Sequence, residues 1–150
     1  MICDVELKIL NPAVKNHLPR YQSAGAAGLD LCACIDAPRV LKAGESALIP
    51  TGFAIFLKNT EIAAFIFPRS GLGHKNGIVL GNGTGVIDSD YQGEIMVSLW
   101  NRSGDDFTIE PFARIAQMVI LPVCHARFLE VAEFTPTARG AGGFGSTGSH

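Results

Sequence analysis

Asp88 stands at the end of an apolar pair, Val86-Ile87, inside the turn-rich run Gly81-Asn82-Gly83-Thr84-Gly85-Val86-Ile87-Asp88-Ser89-Asp90-Tyr91-Gln92-Gly93. A carboxylate projected in this way can act as a general base on water. The Gly and Asn residues before it permit tight turns with positive φ, whose exposed N–H and C=O groups can read the edge of a flat base. The same residues also suit a hairpin turn capped by aspartates. Pro68-Arg69-Ser70-Gly71-Leu72 follows an apolar run, so Arg69 and Ser70 emerge at a strand end. A guanidinium and a hydroxyl beside a glycine form a phosphate contact, or a surface turn. In Arg114-Ile115-Ala116-Gln117 the two polar residues have opposite parity, so a regular strand points them to different faces. The segment Arg139-Gly140-Ala141-Gly142-Gly143-Phe144-Gly145-Ser146-Thr147-Gly148 holds five glycines in ten residues. It is either a loose terminus or a flap in which Arg clamps phosphate, Phe stacks on a base and Gly-rich backbone cradles oxyanions.

Metal-thiolate chemistry is not indicated. Cys3, Cys32, Cys34 and Cys124 include no C-x-x-C pair, and His17, His74, His125 and His150 are scattered. A structural zinc site has tighter spacing. The thiols therefore read as reduced and buried, with Cys32 and Cys34 on one packed face.

The elements that must position these groups are strands. Cys3, Val5, Leu7 and Ile9 alternate with charged residues, which describes a half-buried strand, and Leu29 to Ile35 repeats the pattern. Short apolar runs follow at 47–49, 53–57, 64–67, 78–80, 95–100, 118–121 and 128–131, each bounded by turn formers. One helical turn fits Leu72 to Asn76. Many short strands at close spacing predict an all-β sandwich, jelly roll or barrel.

Composition sets the wider bounds. The 150 residues are 47% apolar and 17% charged, which excludes charge-driven disorder and favours one domain. Net charge is −2, and no two Lys or Arg residues are adjacent. A nucleic-acid polymer is not an expected partner without a basic stripe. No apolar stretch approaches the ~20 residues of a membrane span. The acidic start, Met1-Ile2-Cys3-Asp4-Val5-Glu6, lacks the positive charge of a signal peptide. A soluble, cytoplasmic protein is expected.

Taken in order, the segments resemble the trimeric dUTPase (deoxyuridine triphosphate nucleotidohydrolase) family. Ala27-Gly28-Leu29-Asp30-Leu31 is similar to its first motif and Pro68-Arg69-Ser70-Gly71-Leu72 to its second. Gly85 to Gly93 matches the third, Arg114 to Gln117 the fourth and Arg139 to Gly148 the fifth. Each motif alone is weak; five in order, from about residue 24 to 148, are specific.

The resemblance implies a distorted jelly-roll or β-barrel core over residues 1–136 and a flexible flap over 137–150. It implies hydrolysis of dUTP to dUMP and pyrophosphate, which supplies dUMP for thymidylate synthesis and keeps uracil out of DNA. Asp88 would activate water against the α-phosphorus, and Tyr91 would pack under the deoxyribose and exclude a 2′-hydroxyl. Asn82 and the backbone around Val86, Ile87 and Met96 would bond the uracil edge. Arg69, Ser70, Gly71 and Gln117 would hold the phosphates, with Mg²⁺ on the triphosphate and Asp30 reaching it through water. From the flap, Phe144 would cover the uracil while Arg139, Ser146 and Thr147 grip the outer phosphates. The family implies a homotrimer with sites between subunits, and twelve tail residues can extend ~40 Å to serve one. A dCTP deaminase-like enzyme would want a Ser- and Arg-rich motif and a glutamate base instead. A non-catalytic dUTP-binding regulatory trimer would have no use for Asp88.

Overall fold

The computed structural model describes residues 2–142. Ten strands appear in order: β1 (Glu6–Ile9), β2 (Leu29–Cys32), β3 (Arg39–Leu41), β4 (Ser46–Phe56), β5 (Ile62–Phe67), β6 (Ile78–Leu80), β7 (Gly85–Ile87), β8 (Glu94–Asn101), β9 (Phe107–Ile109) and β10 (Arg114–Pro122). Among the described residues one short α-helix, α1 (Ser70–Asn76), begins before the expected helical turn, and a single 3₁₀ turn spans Pro12–Asn16. Two four-stranded antiparallel sheets, β1-β4-β8-β6 and β2-β10-β5-β7, are accompanied by the separate two-stranded β3-β9 pair.

The sheets share one core. Ile49, Phe53, Ile95, Val97 and Leu99 from the first meet Leu31, Ala64, Ile66, Ile115 and Met118 from the second. Alternation explains the sorting, because each inward residue of a strand has an outward neighbour. The runs at 47–49 and 53–57 form one strand: β4 passes through Gly52, whose φ of 77° lets the chain shift register against β8 without a break. Beyond Cys32 the chain leaves β2 and crosses between sheets, with the Ala33 N–H donating to Ala113 and the Cys34 N–H to Pro50.

Three expectations need correction. All four residues of β1 are exposed rather than half-buried, because β1 is an edge strand. The Phe128–Val131 run forms no strand, as it pairs with no other segment among the described residues. Cys34 is buried and Cys32 half-buried, but Cys3 and Cys124 are exposed. Those two lie outside the paired strands, where no layer covers them.

Candidate active site

Strand order assembles the first cluster. In the second sheet β10 lies between β2 and β5, so Gln117 faces Asp30 on one side and Phe67 on the other. Pro68 and Arg69 follow Phe67 directly and lead into Ser70 and Gly71 at the exposed start of α1. Asp30, Arg69, Ser70, Gly71, Arg114 and Gln117 thus line one cleft of about 400 Å³.

Arg114 belongs to that cleft because β10 is irregular. Its pairing with β2 runs Arg114 to Cys32, then Ala116 to Leu31, leaving Ile115 as an extra residue. A β-bulge of this kind shifts side-chain parity by one. Arg114 and Gln117, expected on different faces, therefore share one.

Asp30 organises the charges. One carboxylate oxygen forms an ion pair with Arg69 Nε at 3.1 Å, and the other accepts from Arg114 Nη1 at 3.1 Å. Arg69 Nη1 also donates to the Arg114 carbonyl at 3.2 Å. Two guanidiniums against one carboxylate leave a net positive cleft suited to phosphate. The Asp30 side chain is only 12% exposed, so the pair is held in a partly dry setting. Gln117 Nε2 donates to the Pro68 carbonyl at 3.0 Å. Its amide oxygen packs on Gly28, where a Cβ would sit 2.6 Å from it. Burial, and then the charge of Asp30, pushes the Cys32 thiol above its ordinary range, keeping it neutral.

Asp88 lies elsewhere on the chain. Antiparallel pairing sets Ile87 opposite Ala64 on β5, so Asp88 lies beside Ala63. Arg69 follows the far end of the same strand, six residues on, which at strand rise is ~20 Å away. The cleft holding Asp88, with Thr60, Ser89, Asp90 and His125, shares no residue with the Arg69 cleft. On one chain the structure brings Asp30, Arg69, Ser70, Gly71 and Gln117 together, and keeps Asp88 apart from them.

Around Asp88 the turn is tight. The Tyr91 N–H donates to the Asp88 carbonyl at 3.2 Å, and the Tyr91 hydroxyl to the Glu94 carbonyl at 3.0 Å. Asn82 is exposed in the turn between β6 and β7, where Gly83 takes a φ of 73°. These strands do not pair as a closed hairpin, since each is the outer strand of a different sheet. Their outer backbone edges therefore have no strand partner among the described residues and can bond a planar ligand. Val86 is exposed on β7, Ile87 partly so, and Met96 is half-buried opposite Pro50 on β8.

Arg139 is exposed, with Nε donating to the Gly142 carbonyl at 3.0 Å. Phe144, Ser146 and Thr147 lie outside the described residues. Among the described residues no three His, Cys, Asp or Glu side chains form a metal cage. No helix among them is long and apolar enough to cross a membrane.

Comparison with known proteins gives one answer. The family model described as dUTPase matches residues 15–148. A deoxyuridine 5′-triphosphate nucleotidohydrolase of Burkholderia multivorans is 59% identical, covering 97% of this chain and 99% of the relative. The enzyme of that name from Neisseria meningitidis serogroup B is 58% identical with both chains fully covered. The solved dUTPase of Staphylococcus bacteriophage 80alpha with dUPNHPP superposes with a TM-score of 0.86 at 25% identity, covering 97% of this chain and 98% of its own. With five motifs, the β architecture and near-complete coverage in agreement, the chain belongs to the dUTPase family.

Proposed function

We propose that this chain hydrolyses dUTP to dUMP and pyrophosphate at sites assembled between three copies of itself. As a member of the dUTPase family it is a dUTP diphosphatase, a hydrolase. One observation carries the shared-site reading: Asp88 and the Arg69 cleft flank opposite ends of β5. A single nucleotide must meet both, so a cleft of one copy has to face the Asp88 turn of another.

In that arrangement Arg69, Ser70, Gly71 and Gln117 hold the phosphates, and Asp88 takes a proton from water as it attacks the α-phosphorus. Positioning and charge neutralisation dominate such transfers. Tyr91 lies under the deoxyribose, and the unpaired edges near Asn82, Val86, Ile87 and Met96 bond uracil. Cytosine presents a donor where uracil presents an acceptor, and a mismatched buried polar pair is costly. Arg139, Phe144, Ser146 and Thr147 close over the nucleotide from a third copy.

Mg²⁺ fits this donor set in one way. Both Asp30 oxygens already pair with guanidiniums, so Asp30 would hold the ion only through a water that the ion bears. A hard cation that keeps its waters and takes phosphate ligands suits that role. When bound, it neutralises phosphate charge. Assembly is supported by exposed apolar side chains beyond β10, with Phe128 at 95% and Phe134 at 90% exposure. Exposed apolar side chains of this kind are what a subunit interface would cover. The activity supplies dUMP for thymidylate synthesis in the cytoplasm and keeps uracil out of DNA.

The test is pyrophosphate release from dUTP against dTTP, dCTP and UTP, with and without Mg²⁺. Only dUTP is expected to turn over. Asp88→Asn should reduce turnover by about a thousandfold or more while dUpNHpp still binds. Ammonia release from dCTP would point to the deaminase-like alternative, and analogue binding without hydrolysis in the unaltered protein to a regulatory binder.

A further inference from the structure

Gly93 carries no chemistry of its own, yet its surroundings are specific. Outside its chain neighbours, the heavy atoms nearest to a Cβ built there all belong to Tyr91: the hydroxyl oxygen closest, Cζ at 2.6 Å and Cε2 at 3.0 Å. The Tyr91 ring therefore occupies the space a side chain would take. Gly93 is not among the residues with positive φ, so an alanine can adopt its backbone without strain. The requirement at this position is for room, not for backbone freedom.

The ring is held there from both ends. Its backbone N–H bonds the Asp88 carbonyl, and its hydroxyl bonds the carbonyl of Glu94, the first residue of β8. Glu94 is itself fixed, since its carboxylate accepts the Gly52 N–H at 2.8 Å and its backbone pairs with Ala54. A tyrosine folded back over two residues onto an anchored strand is rigid only while residue 93 has no Cβ. With one, the ring must leave, and it has somewhere to go, being 42% exposed.

We infer that Gly93 is a positioning residue for sugar recognition: its missing side chain makes room for the Tyr91 ring beside the Asp88 turn. This rests on the reading of Tyr91 as the surface under the deoxyribose. Gly93→Ala then frees the ring and opens space for a 2′-hydroxyl while sheet and core stay intact.

The experiment uses the full chain with 3-fluorotyrosine at its two tyrosines, Tyr21 and Tyr91. Tyr21→Phe assigns the two ¹⁹F resonances. Gly93→Ala should shift the Tyr91 resonance and leave that of Tyr21 in place. In unlabelled protein, the ratio of kcat/KM for dUTP over UTP should fall at least about tenfold. It should fall no further when Gly93→Ala is added to Tyr91→Ala. If Gly93→Ala alone folds poorly, the double variant should restore the melting temperature of Tyr91→Ala, because the obstructing ring is gone. An unmoved Tyr91 resonance, or an additional loss of selectivity in the Tyr91→Ala background, overturns the proposal. A moved resonance with unchanged selectivity in both Gly93→Ala and Tyr91→Ala overturns the sugar reading of Tyr91, leaving only the seating of the ring.

Discussion

Asp30 ties two guanidiniums of the cleft to one carboxylate. Its carboxylate fixes Arg69 and Arg114, which would otherwise repel each other across the cleft. Asp30→Asn keeps the shape but removes the charge, so it should cost about 1–3 kcal/mol of stability. It should also weaken dUpNHpp binding several-fold. Urea denaturation and analogue titration check both, and a variant as stable as the parent would show the guanidiniums to be held by other contacts. Cys32, beside this network, gives a pH prediction. Its raised value means that the folded chain keeps the thiol protonated where the unfolded chain loses it. That contribution is fully present below the ordinary value of 9.0 and is lost as pH climbs through the raised one. Melting temperature should therefore drop from about pH 9 upward, and Cys32→Ala should flatten the drop. Parallel curves for the two proteins would remove the thiol from the alkaline transition.

The strands were largely legible from alternation, and the cleft was legible from motif residues, but β10 shows where such reading stops. Parity places Arg114 and Gln117 on opposite faces, yet the extra residue Ile115 returns them to one. A bulge has no composition signal in a single sequence, because its cause is the fit between neighbouring strands. The edge strand β1 failed for a similar reason: alternation marks which side is apolar, not whether this chain covers it. The run at 128–131 has strand-forming residues but no partner among the described residues, and pairing is what makes a strand. Because the bulge unites the two polar residues, Arg114→Ala and Gln117→Ala should both raise KM for dUTP. Arg114 and Arg69 should couple by about 1 kcal/mol in a double-mutant cycle, since they share Asp30. Additive effects would mean that Asp30 does not link them.

At the scale of the whole molecule, the separation of Asp88 from Arg69 along β5 makes a quantitative demand. If every site takes its base from one copy and its phosphate cleft from another, two inactive variants can repair each other. Asp88→Asn lacks the base and keeps the cleft; Arg69→Ala lacks the cleft contact and keeps the base. Unfolded together in equal amounts and refolded, they would form mixed trimers at random if the chain assembles as proposed. A site is intact when its base comes from an Arg69→Ala copy and its cleft from an Asp88→Asn copy, two independent choices of one half each. About a quarter of sites are then whole, so activity should recover to roughly a quarter of the parent's in a closed ring of this kind. Mixing the folded variants without unfolding should recover almost none at first and rise only as subunits exchange. A site built within one chain predicts no recovery in either case, because each copy carries its own defect. Recovery on refolding, with the level set by the mixing ratio, therefore tests the shared geometry directly. It does so without depending on how either residue contributes to the chemistry.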